Sequence, residues 1–309
     1  MNKKQKNLLV SLLTIFFLVE FLCNSKTLIN VFFNTVNLCF YNLLPNIFIF
    51  FIITDILNNY DFPLSLSKIF GTLFEKIYHL PKTSSYILFM SLTSGFPGNS
   101  KLIKDSLDNK RITIEDATRL LTMTHFSNPL FIIYTVGNNF FHDSRIGLVI
   151  LVSHFITNFI IGLLFRNIFK YEKKDNIVIE TKSLSFITLL KASLIKTTKL
   201  LINVFGIIIF FALTTSIVSK YLHLNPFSNV IFNGLIEITN GLKLLSLLSL
   251  STIKKAVIAT FFLSFGGISI HMQTMSILSN YKINYYIYLL SRIIHGGISA
   301  LIAFIILNL

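Results

Sequence analysis

Four short polar stretches interrupt apolar parts of the chain, and their residue types suit ligand binding. The first is SGFPGNSK at 94–101. Gly95 and Gly98 allow backbone conformations that other residues avoid, and Pro97 has no N–H to donate. The pattern predicts the tip of a helical hairpin whose helix ends present free N–H groups to an anionic ligand. The alternative, a plain surface turn, fits poorly beside the apolar YILFMSL at 86–92. The candidate binding residues of this stretch are Ser94, Gly95, Pro97 and Asn99.

The second stretch is HFSNP at 125–129, where Ser127 and Asn128 supply a hydroxyl and an amide beside Pro129. Proline interrupts a helix, so polar side chains at this position can either hydrogen-bond a ligand or cap the broken helix. The residue pattern favours neither alternative. Ser127 and Asn128 are both candidates for the binding site.

The third stretch places a carboxylate, Glu237, in an otherwise apolar segment, followed by Thr239 and Asn240. An acidic residue at the centre of a membrane helix costs about 2.5–3.5 kcal/mol on the insertion scale, so it is interpreted first as functional. Glu237 is predicted to bind a coupling cation, a proton or the substrate, with Thr239 and Asn240 as neighbours in the site. The alternative is a salt bridge with Lys243 or Lys101.

The fourth stretch is SFGGISIHMQ at 264–273. Gly266 and Gly267 allow the backbone to unwind, which brings Ser269 and Gln273 into consideration as ligand contacts. His271 has no partner at metal-binding spacing, so a packed and hydrogen-bonded histidine is the better interpretation. The sequence predicts no metal site.

Motifs of the common catalytic classes are absent from the chain. It contains no H-E-x-x-H, no G-x-x-x-x-G-K-[ST] and no G-x-S-x-G. The chain is therefore predicted not to be an enzyme and to need no cofactor. ATP-driven transport by this chain alone is excluded on the same grounds.

The composition is that of a membrane protein. Of the 309 residues 53% are hydrophobic and 13% are charged, and the mean hydropathy is +0.71. Soluble domains carry about 25% charged residues, because they must expose a polar surface to water. Apolar runs near the length needed to span a bilayer lie at 8–23, 44–57, 146–165, 200–219, 256–278 and 286–309. The fold class is an all-α, multi-pass protein of the cell membrane.

The net charge of +14 does not indicate nucleic-acid binding. The basic residues lie in short stretches between the apolar runs, as expected for cytoplasmic loops and for attraction to lipid headgroups. The expected partners are the lipid bilayer and a small-molecule solute. A homo-oligomer is compatible with the sequence.

The chain contains a weak internal repeat. Segment 40–57 resembles 201–218, and the interrupted segments 86–101 and 125–132 correspond to 230–243 and 264–271. We therefore predict one transmembrane domain over 1–309, with an extra N-terminal helix at 1–27, repeat 1 at 28–170 and repeat 2 at 184–309. The alternative is that Gly and Pro only allow close helix packing.

The number of membrane crossings predicts that the two repeats are inverted. Helix 8–23 starts inside, 44–57 returns, 86–100 forms a re-entrant hairpin, and 122–141 and 146–165 cross out and back. Three crossings separate the starts of the repeats, so the second hairpin opens to the other side. The basic linker 166–182 is then cytoplasmic. The tips at 94–100 and 237–241 are expected to approach one another, as in secondary transporters with broken helices.

Structural roles are predicted for several other polar residues. Thr113 and Asp116 belong to a sequence typical of a capping box that opens an amphipathic helix. Glu20 and Arg292 are isolated charges in apolar segments, and pairing between helices is the expected role of each. Lys68 and Lys76 are placed in the cytoplasm between helix 44–57 and the first hairpin.

The motifs SGFPGNSK, HFSNPLFIIYTVG, GLIEITNG and SFGGISIHMQ, in this order, resemble the nucleoside-recognition (Gate) group. Within it they are most similar to the YlbJ-type sporulation integral membrane proteins, from about residue 43 to the C-terminus. The resemblance implies a fold akin to concentrative nucleoside transporters and a role in spore formation in a spore-forming bacterium. It implies movement of a small aromatic or anionic solute, such as dipicolinate or a nucleoside. The chain departs from the group at 98–100 and 126–129.

Two functions are consistent with these observations. The first is a secondary transporter or permease for a small solute, with Na⁺ and H⁺ as candidate coupling ions. The second is a membrane component that keeps the fold without transporting and is needed for spore envelope assembly.

Overall fold

The computed structural model describes residues 2–60, 62–170 and 185–309. These residues form α-helices joined by short connections, and the described parts contain no β-strand. The helices are α1 (Lys3–Cys23), α2 (Ser25–Leu38), α3 (Leu44–Asn59), α4 (Phe62–Tyr78), α5 (Ser85–Ser94), α6 (Gly98–Asp108), α7 (Ile114–Met123), α8 (Ser144–Leu164), α9 (Phe186–Leu222), α10 (Pro226–Ile236), α11 (Ile238–Leu247), α12 (Thr252–Phe265), α13 (Gly267–Ile277) and α14 (Tyr285–Asn308). Two π-helical segments are Cys39–Leu43 and Phe131–Phe140.

Within the described residues, five helical stretches are long and apolar enough to cross a membrane: α1, α8, α9, α12 with α13, and α14. Helices α2 and α3 add a sixth if the pair, bent by 50°, is counted as one span. The prediction of an all-helical, multi-pass membrane protein is confirmed. Helix α9 begins at Phe186, much earlier than the apolar run that predicted it, and continues for 37 residues.

Polar side chains fix where the helices begin. Each of them accepts a hydrogen bond from a backbone N–H in the first turn of its helix, which would otherwise lack a partner. The N-cap residues of α8, α10, α12 and α14 are Asp143, Asn225, Ser251 and Asn284. The predicted capping box is confirmed, because Thr113 and Asp116 each accept from the other's backbone N–H at 3.1 Å.

Helix α4 was not predicted, and neither was α2. Residues Phe62–Tyr78 form α4, which carries Lys68 and Lys76 on the same helix as the exposed apolar side chains of Ile69 and Leu73. Its buried face includes Phe74. A helix with an exposed apolar face and basic residues is typical of segments that lie in a membrane interface.

The helical path breaks within each of the four polar stretches. Gly95 has φ +66° between α5 and α6, and Gly266 and Gly267 have φ +91° and +62° between α12 and α13. Glu237 has an extended backbone between α10 and α11. The fourth break separates α7 from the next helical segment at residues 124–128. The helix predicted at 122–141 with an interruption at 125–132 is broken at 124–128, and 122–123 belong to α7.

The helix ends form two groups, which we name the Arg119 end and the Lys243 end. At the Arg119 end, Arg119 donates to the carbonyls of His79 (2.7 Å) and Arg166 (3.1 Å), and the Tyr281 hydroxyl donates to Asp108 (2.5 Å). The hydrogen bond to this carboxylate, together with burial, raises the pKa of Tyr281. The Lys243 end surrounds a cavity of about 420 Å³ whose lining includes His142, Lys243, Thr252 and Lys255.

A buried charge cluster joins α3, α6 and α9 toward the Arg119 end. Asp55 forms ion pairs with Lys101 (2.9 Å) and Lys196 (3.1 Å) and accepts a hydrogen bond from the hydroxyl of Ser193 (2.5 Å). Lys196 also binds Asp105 at 3.1 Å. Asp55 and Lys101 are 6% and 4% exposed, so each depends on the other for neutralisation.

Helices α10 and α11 pack against each other without intervening side chains. A Cβ atom on Gly241 would lie 2.2 Å from the Cα of Gly234, and one on Gly234 would lie 2.3 Å from the ring of Phe262. This hairpin therefore requires glycine at both positions. At Gly206 of α9, by contrast, an added Cβ atom would meet no atom within 4 Å.

We expect Gly241→Ala to destabilise the protein by about 1–3 kcal/mol, because the added methyl group forces the two helices apart. Gly206→Ala is the matched control and should leave stability unchanged or raise it by about 0.5–1 kcal/mol. Thermal unfolding of both purified variants in detergent measures the difference. Equal stability of the two variants would contradict the close packing.

We expect Asp55→Asn to cost about 3–5 kcal/mol, because it leaves Lys101 buried without a counter-charge. Adding Lys101→Met should restore part of that loss. Lys104→Gln is the control: it breaks a pair with Asp108 whose side chains are 31% and 43% exposed, and it should cost less than about 1 kcal/mol. A double variant no more stable than Asp55→Asn would show that the two charges do not depend on each other.

Candidate functional site

The first two breaks are joined by their backbones. The Phe96 N–H donates to the Phe126 carbonyl at 2.7 Å, and the Asn128 side chain donates to the Thr93 carbonyl at 3.2 Å. A Cβ on Gly95 would lie 2.5 Å from the backbone nitrogen of Asn128. Gly95 therefore allows the two unwound segments to touch.

The last two breaks are also in contact. A Cβ on Gly267 would lie 2.9 Å from a side-chain carbon of Ile238 and 3.2 Å from the carbonyl oxygen of Ile236. Gly266 connects this pair to the first one, since a Cβ there would lie 2.6 Å from Nε2 of His125. The four interrupted segments meet inside the protein.

A small inner cavity of about 40 Å³ lies where the breaks meet. This volume holds about three water molecules. The predicted site residues that line it come from all four interrupted segments: Pro97, Ser127, Asn128, Glu237, Thr239 and Gln273. Apolar side chains complete the wall, among them Phe96, Val204 and Ile270.

The remaining predicted residues lie around the cavity without lining it. The Ser94 hydroxyl donates to the Met90 carbonyl, and the Asn99 side chain donates to Thr124 at 3.4 Å. Ser269 is buried, and its hydroxyl has no hydrogen-bond partner among the described residues. Gly95, Gly266 and Gly267 act through close backbone contact, and Asn240 lies in a second cavity.

Ser127 and Asn128 differ in their local bonding. Oδ1 of Asn128 accepts from the N–H groups of Leu130 (2.9 Å) and Phe131 (3.4 Å), so this side chain caps the second half of the broken helix. The buried hydroxyl of Ser127 has no partner within the described ranges. Capping accounts for Asn128, while the Ser127 hydroxyl is available to the cavity.

Glu237 is 2% exposed and caps α11. Its carboxylate accepts from the N–H groups of Thr239 (3.2 Å) and Asn240 (2.8 Å). It forms no ion pair with any residue that the structure describes, and Lys101 pairs with Asp55 instead. The salt bridge with Lys243 or Lys101 is therefore wrong. The Thr239 hydroxyl also bonds to the carboxylate, which still keeps an unused acceptor position because a carboxylate can accept about four hydrogen bonds.

Most of the N–H groups predicted to be free at the first hairpin tip, 94–101, have partners. The N–H groups of Asn99 and Ser100, at the start of α6, donate to the carbonyls of Gly95 and Pro97. Those at the start of α11 are bound by Glu237. Helix N-termini attract anions only where their amides lack partners, so neither tip is a ready anion site.

An outer cavity of about 350 Å³ adjoins the inner one, and Glu237 and Thr239 line both. Its polar lining includes residues that sequence reasoning missed: Asn34, Thr35, Ser216, Ser219, Asn229, Asn233 and Lys243. Asn240 donates to Asn233 at 2.9 Å, which joins α11 to α10 across this cavity. The spacing of Asn229 and Asn233, about one helical turn apart on α10, was the only local signal.

Of the two isolated charges, one pairs as predicted. Glu20 of α1 binds Lys220 (3.3 Å) and the Tyr221 hydroxyl at the end of α9. Arg292 is fully buried and forms no ion pair in the described part of the chain; its partners are the carbonyl of Thr122 and Nδ1 of His295. His271 binds the Phe265 carbonyl (2.9 Å), as expected of a packed histidine.

Among residues 2–60, 62–170 and 185–309, no three or more His, Cys, Asp or Glu side chains are grouped so that they could hold a metal ion. The chemistry available at the breaks is therefore hydrogen bonding and charge. It is provided by the carboxylate of Glu237, several amides and the unpaired hydroxyls of Ser127 and Ser269 among the described residues.

The chain is similar to the sporulation integral membrane protein YlbJ of Bacillus subtilis (strain 168). The two are 24% identical over 295 aligned residues, which cover 83% of this chain and 72% of the relative. No family model matches the chain, and no solved structure matches it. This similarity supports the resemblance to the YlbJ-type proteins, and the relation to the nucleoside-recognition group stays a prediction.

We expect Glu237→Gln to lower stability by about 1–2 kcal/mol, because the new amide can accept only one of the two N–H groups that the carboxylate binds. Adding Lys243→Gln should not restore the loss. Asp143→Asn is the control, since it keeps a capping oxygen at an exposed helix start and should change stability by less than about 0.5 kcal/mol. Recovery in the Glu237→Gln/Lys243→Gln double variant would establish the ion pair that the geometry excludes.

Proposed function

We propose that the protein is a membrane protein of sporulation that moves a small solute through the site where the four breaks meet. The observation that carries this proposal is the inner cavity, whose lining draws on all four interrupted segments. The similarity to a sporulation integral membrane protein supports the proposed role in sporulation. The site geometry supports transport.

The cost of unwinding helices in a membrane favours a functional explanation. Backbone groups freed by a break cannot face lipid, since each unsatisfied group costs several kcal/mol. Secondary transporters place such breaks near the bilayer midplane, where they bind substrate and coupling ions. The contacts between Phe96 and Phe126 and between Gly267 and Ile236 keep the breaks together inside the protein.

The positions of the two hairpins support inverted repeats at 28–170 and 184–309. Helices α5 and α6 start and end toward the Arg119 end, where Asp108 contacts Tyr281. Helices α10 and α11 do so toward the Lys243 end, where Leu247 lines the cavity near His142. Two hairpins that enter from opposite ends and meet at their tips are the arrangement expected of inverted re-entrant hairpins.

The positive-inside rule places the Arg119 end in the cytoplasm and the C-terminus outside. The Arg119 end carries Lys82, Arg119 and Arg166. Lys254 and Lys255 at the opposite end run against the rule. The predicted cytoplasmic linker 166–182 lies largely outside the described residues.

The cavities favour a polar solute with hydrogen-bond donors. The outer cavity, at about 350 Å³, is in the range that holds small molecules, about 300–1,000 Å³. Lys243 also lines this cavity but is exposed, so the buried charge there is the carboxylate of Glu237, which attracts hydroxyl and amino groups and repels a second carboxylate. Between the two solutes implied by the resemblance, a nucleoside therefore fits better than dipicolinate. Glu237 is also the group best placed to bind H⁺ or Na⁺ as a coupling ion.

The second candidate function is a membrane component that does not transport. The inner cavity, at about 40 Å³, admits only water in this conformation, and the Asp55 cluster ties α3, α6 and α9 together. Both observations favour a rigid structural role in spore envelope assembly.

Flux into liposomes separates the two functions. We expect purified protein to carry labelled uridine, and dipicolinate less well, at least about tenfold faster than protein-free liposomes, with an imposed Na⁺ or H⁺ gradient in parallel assays. Glu237→Gln should lower this flux at least about tenfold in protein that is shown to be folded, because it removes the buried carboxylate that binds the solute or the coupling ion. Asp143→Asn should retain the flux. A wild-type protein that stays folded and carries neither solute under either gradient would favour the structural role.

A further inference from the structure

In the non-helical segment 124–128, two backbone groups are bound by side chains of helix α8. Nε2 of His154 accepts from the Ser127 N–H at 2.9 Å, and the amide of Asn158 donates to the His125 carbonyl at 3.0 Å. His154 and Asn158 are one helical turn apart and fully buried. Helix α8 therefore serves as the hydrogen-bonding partner of this break.

These contacts determine the protonation state of His154. A backbone N–H can only donate, so Nε2 must carry a lone pair, and Nδ1 must carry the proton of a neutral imidazole. Nδ1 lies 2.8 Å from the hydroxyl oxygen of Ser264, which accepts that proton's hydrogen bond. Ser264 precedes the break at Gly266 by two residues. The neutral imidazole of His154 thus links the break at 124–128 to the end of α12, which leads into the break at Gly266.

Helix α14 also forms hydrogen bonds to His154 and to the end of α7, just before the break at 124–128. Nε2 of His295 donates to the backbone carbonyl of His154 at 3.0 Å, and the two rings stack 4.8 Å apart. Nδ1 of His295 accepts from Arg292 at 2.8 Å, so this imidazole is neutral as well. The Arg292 guanidinium also donates to the carbonyl of Thr122, at the end of α7.

We propose that His154 is a positioning residue for the solute site, supported by His295 and Arg292. It fixes the Ser127 backbone, and so sets where the Ser127 hydroxyl and the Asn128 side chain meet the inner cavity. The importance of this position for solute movement rests on the proposed function. The hydrogen bonds themselves do not, so they can be tested separately.

Amide hydrogen exchange measures the positioning without any transport assay. We expect His154→Leu to raise exchange in a peptide covering 124–131 about tenfold, because the Ser127 N–H loses its acceptor inside the protein. His154→Gln should restore protection, since a glutamine side chain can both accept from Ser127 and donate to Ser264. Ser264→Ala, which removes a small group and keeps the fold, should give a smaller rise.

His271→Leu is the matched control. His271 is also a buried histidine next to a break, but it bonds to Phe265 and Tyr285 and to no residue of 124–128. Its replacement should leave exchange of the 124–131 peptide unchanged. Unchanged exchange in His154→Leu, or an equal rise in His271→Leu, would overturn the positioning role.

Uridine flux then tests whether the position matters to the site. We expect His154→Leu to lower flux at least about tenfold and His154→Gln to keep most of it. Full flux in a His154→Leu protein whose 124–131 peptide exchanges faster would overturn the link to the solute site. If the wild type carries no flux, the proposed function fails, and the exchange measurement still decides the role of His154.

Discussion

The structure depends on one constraint: backbone groups that leave a helix inside a membrane protein must find partners within the protein. Phe96 and Ser127 show how this is met, since the first donates to Phe126 and the second to His154. Glu237 meets the same need with a side-chain acceptor, because its carboxylate accepts from two backbone N–H groups at the start of α11. The Phe96 bond joins two breaks directly, and His154 connects one of them through Ser264 to the helix end before a third, whereas Glu237 satisfies its own break.

The positions of the helix breaks could be predicted from the residue types. Glycine, proline and polar side chains in an apolar run weaken a continuous helix at that point. The partners could not be predicted in the same way. Lys243 is near Glu237 in sequence but forms no pair with it, whereas Lys101 pairs with Asp55, which lies on another helix. His154 stands in a plain apolar helix, and only the fold brings it to Ser127. The outer cavity is likewise built by α2, from the first part of the chain, against the consecutive helices α9, α10 and α11 of the second part.

Buried charge is handled differently at two places in the protein. Asp55 is surrounded by two lysines and a hydroxyl, a set that neutralises it fully. Arg292 is surrounded by neutral acceptors, and its charge is spread over a carbonyl and an imidazole while it stacks on Tyr288. The first arrangement stabilises packing between helices, and the second orders a network of hydrogen bonds next to the breaks.

Helix α9 is 37 residues long, which at 1.5 Å per residue makes a rod of about 55 Å. This exceeds the roughly 30 Å hydrocarbon thickness of a bilayer, so the rod must tilt or project beyond the lipid. Along its length it contacts Asp55 through Lys196, the inner cavity through Val204, the outer cavity through Ser216 and Glu20 through Lys220. Because a continuous helix is stiff, a rotation of α9 at one end moves its contacts at the other end without any local unfolding between them.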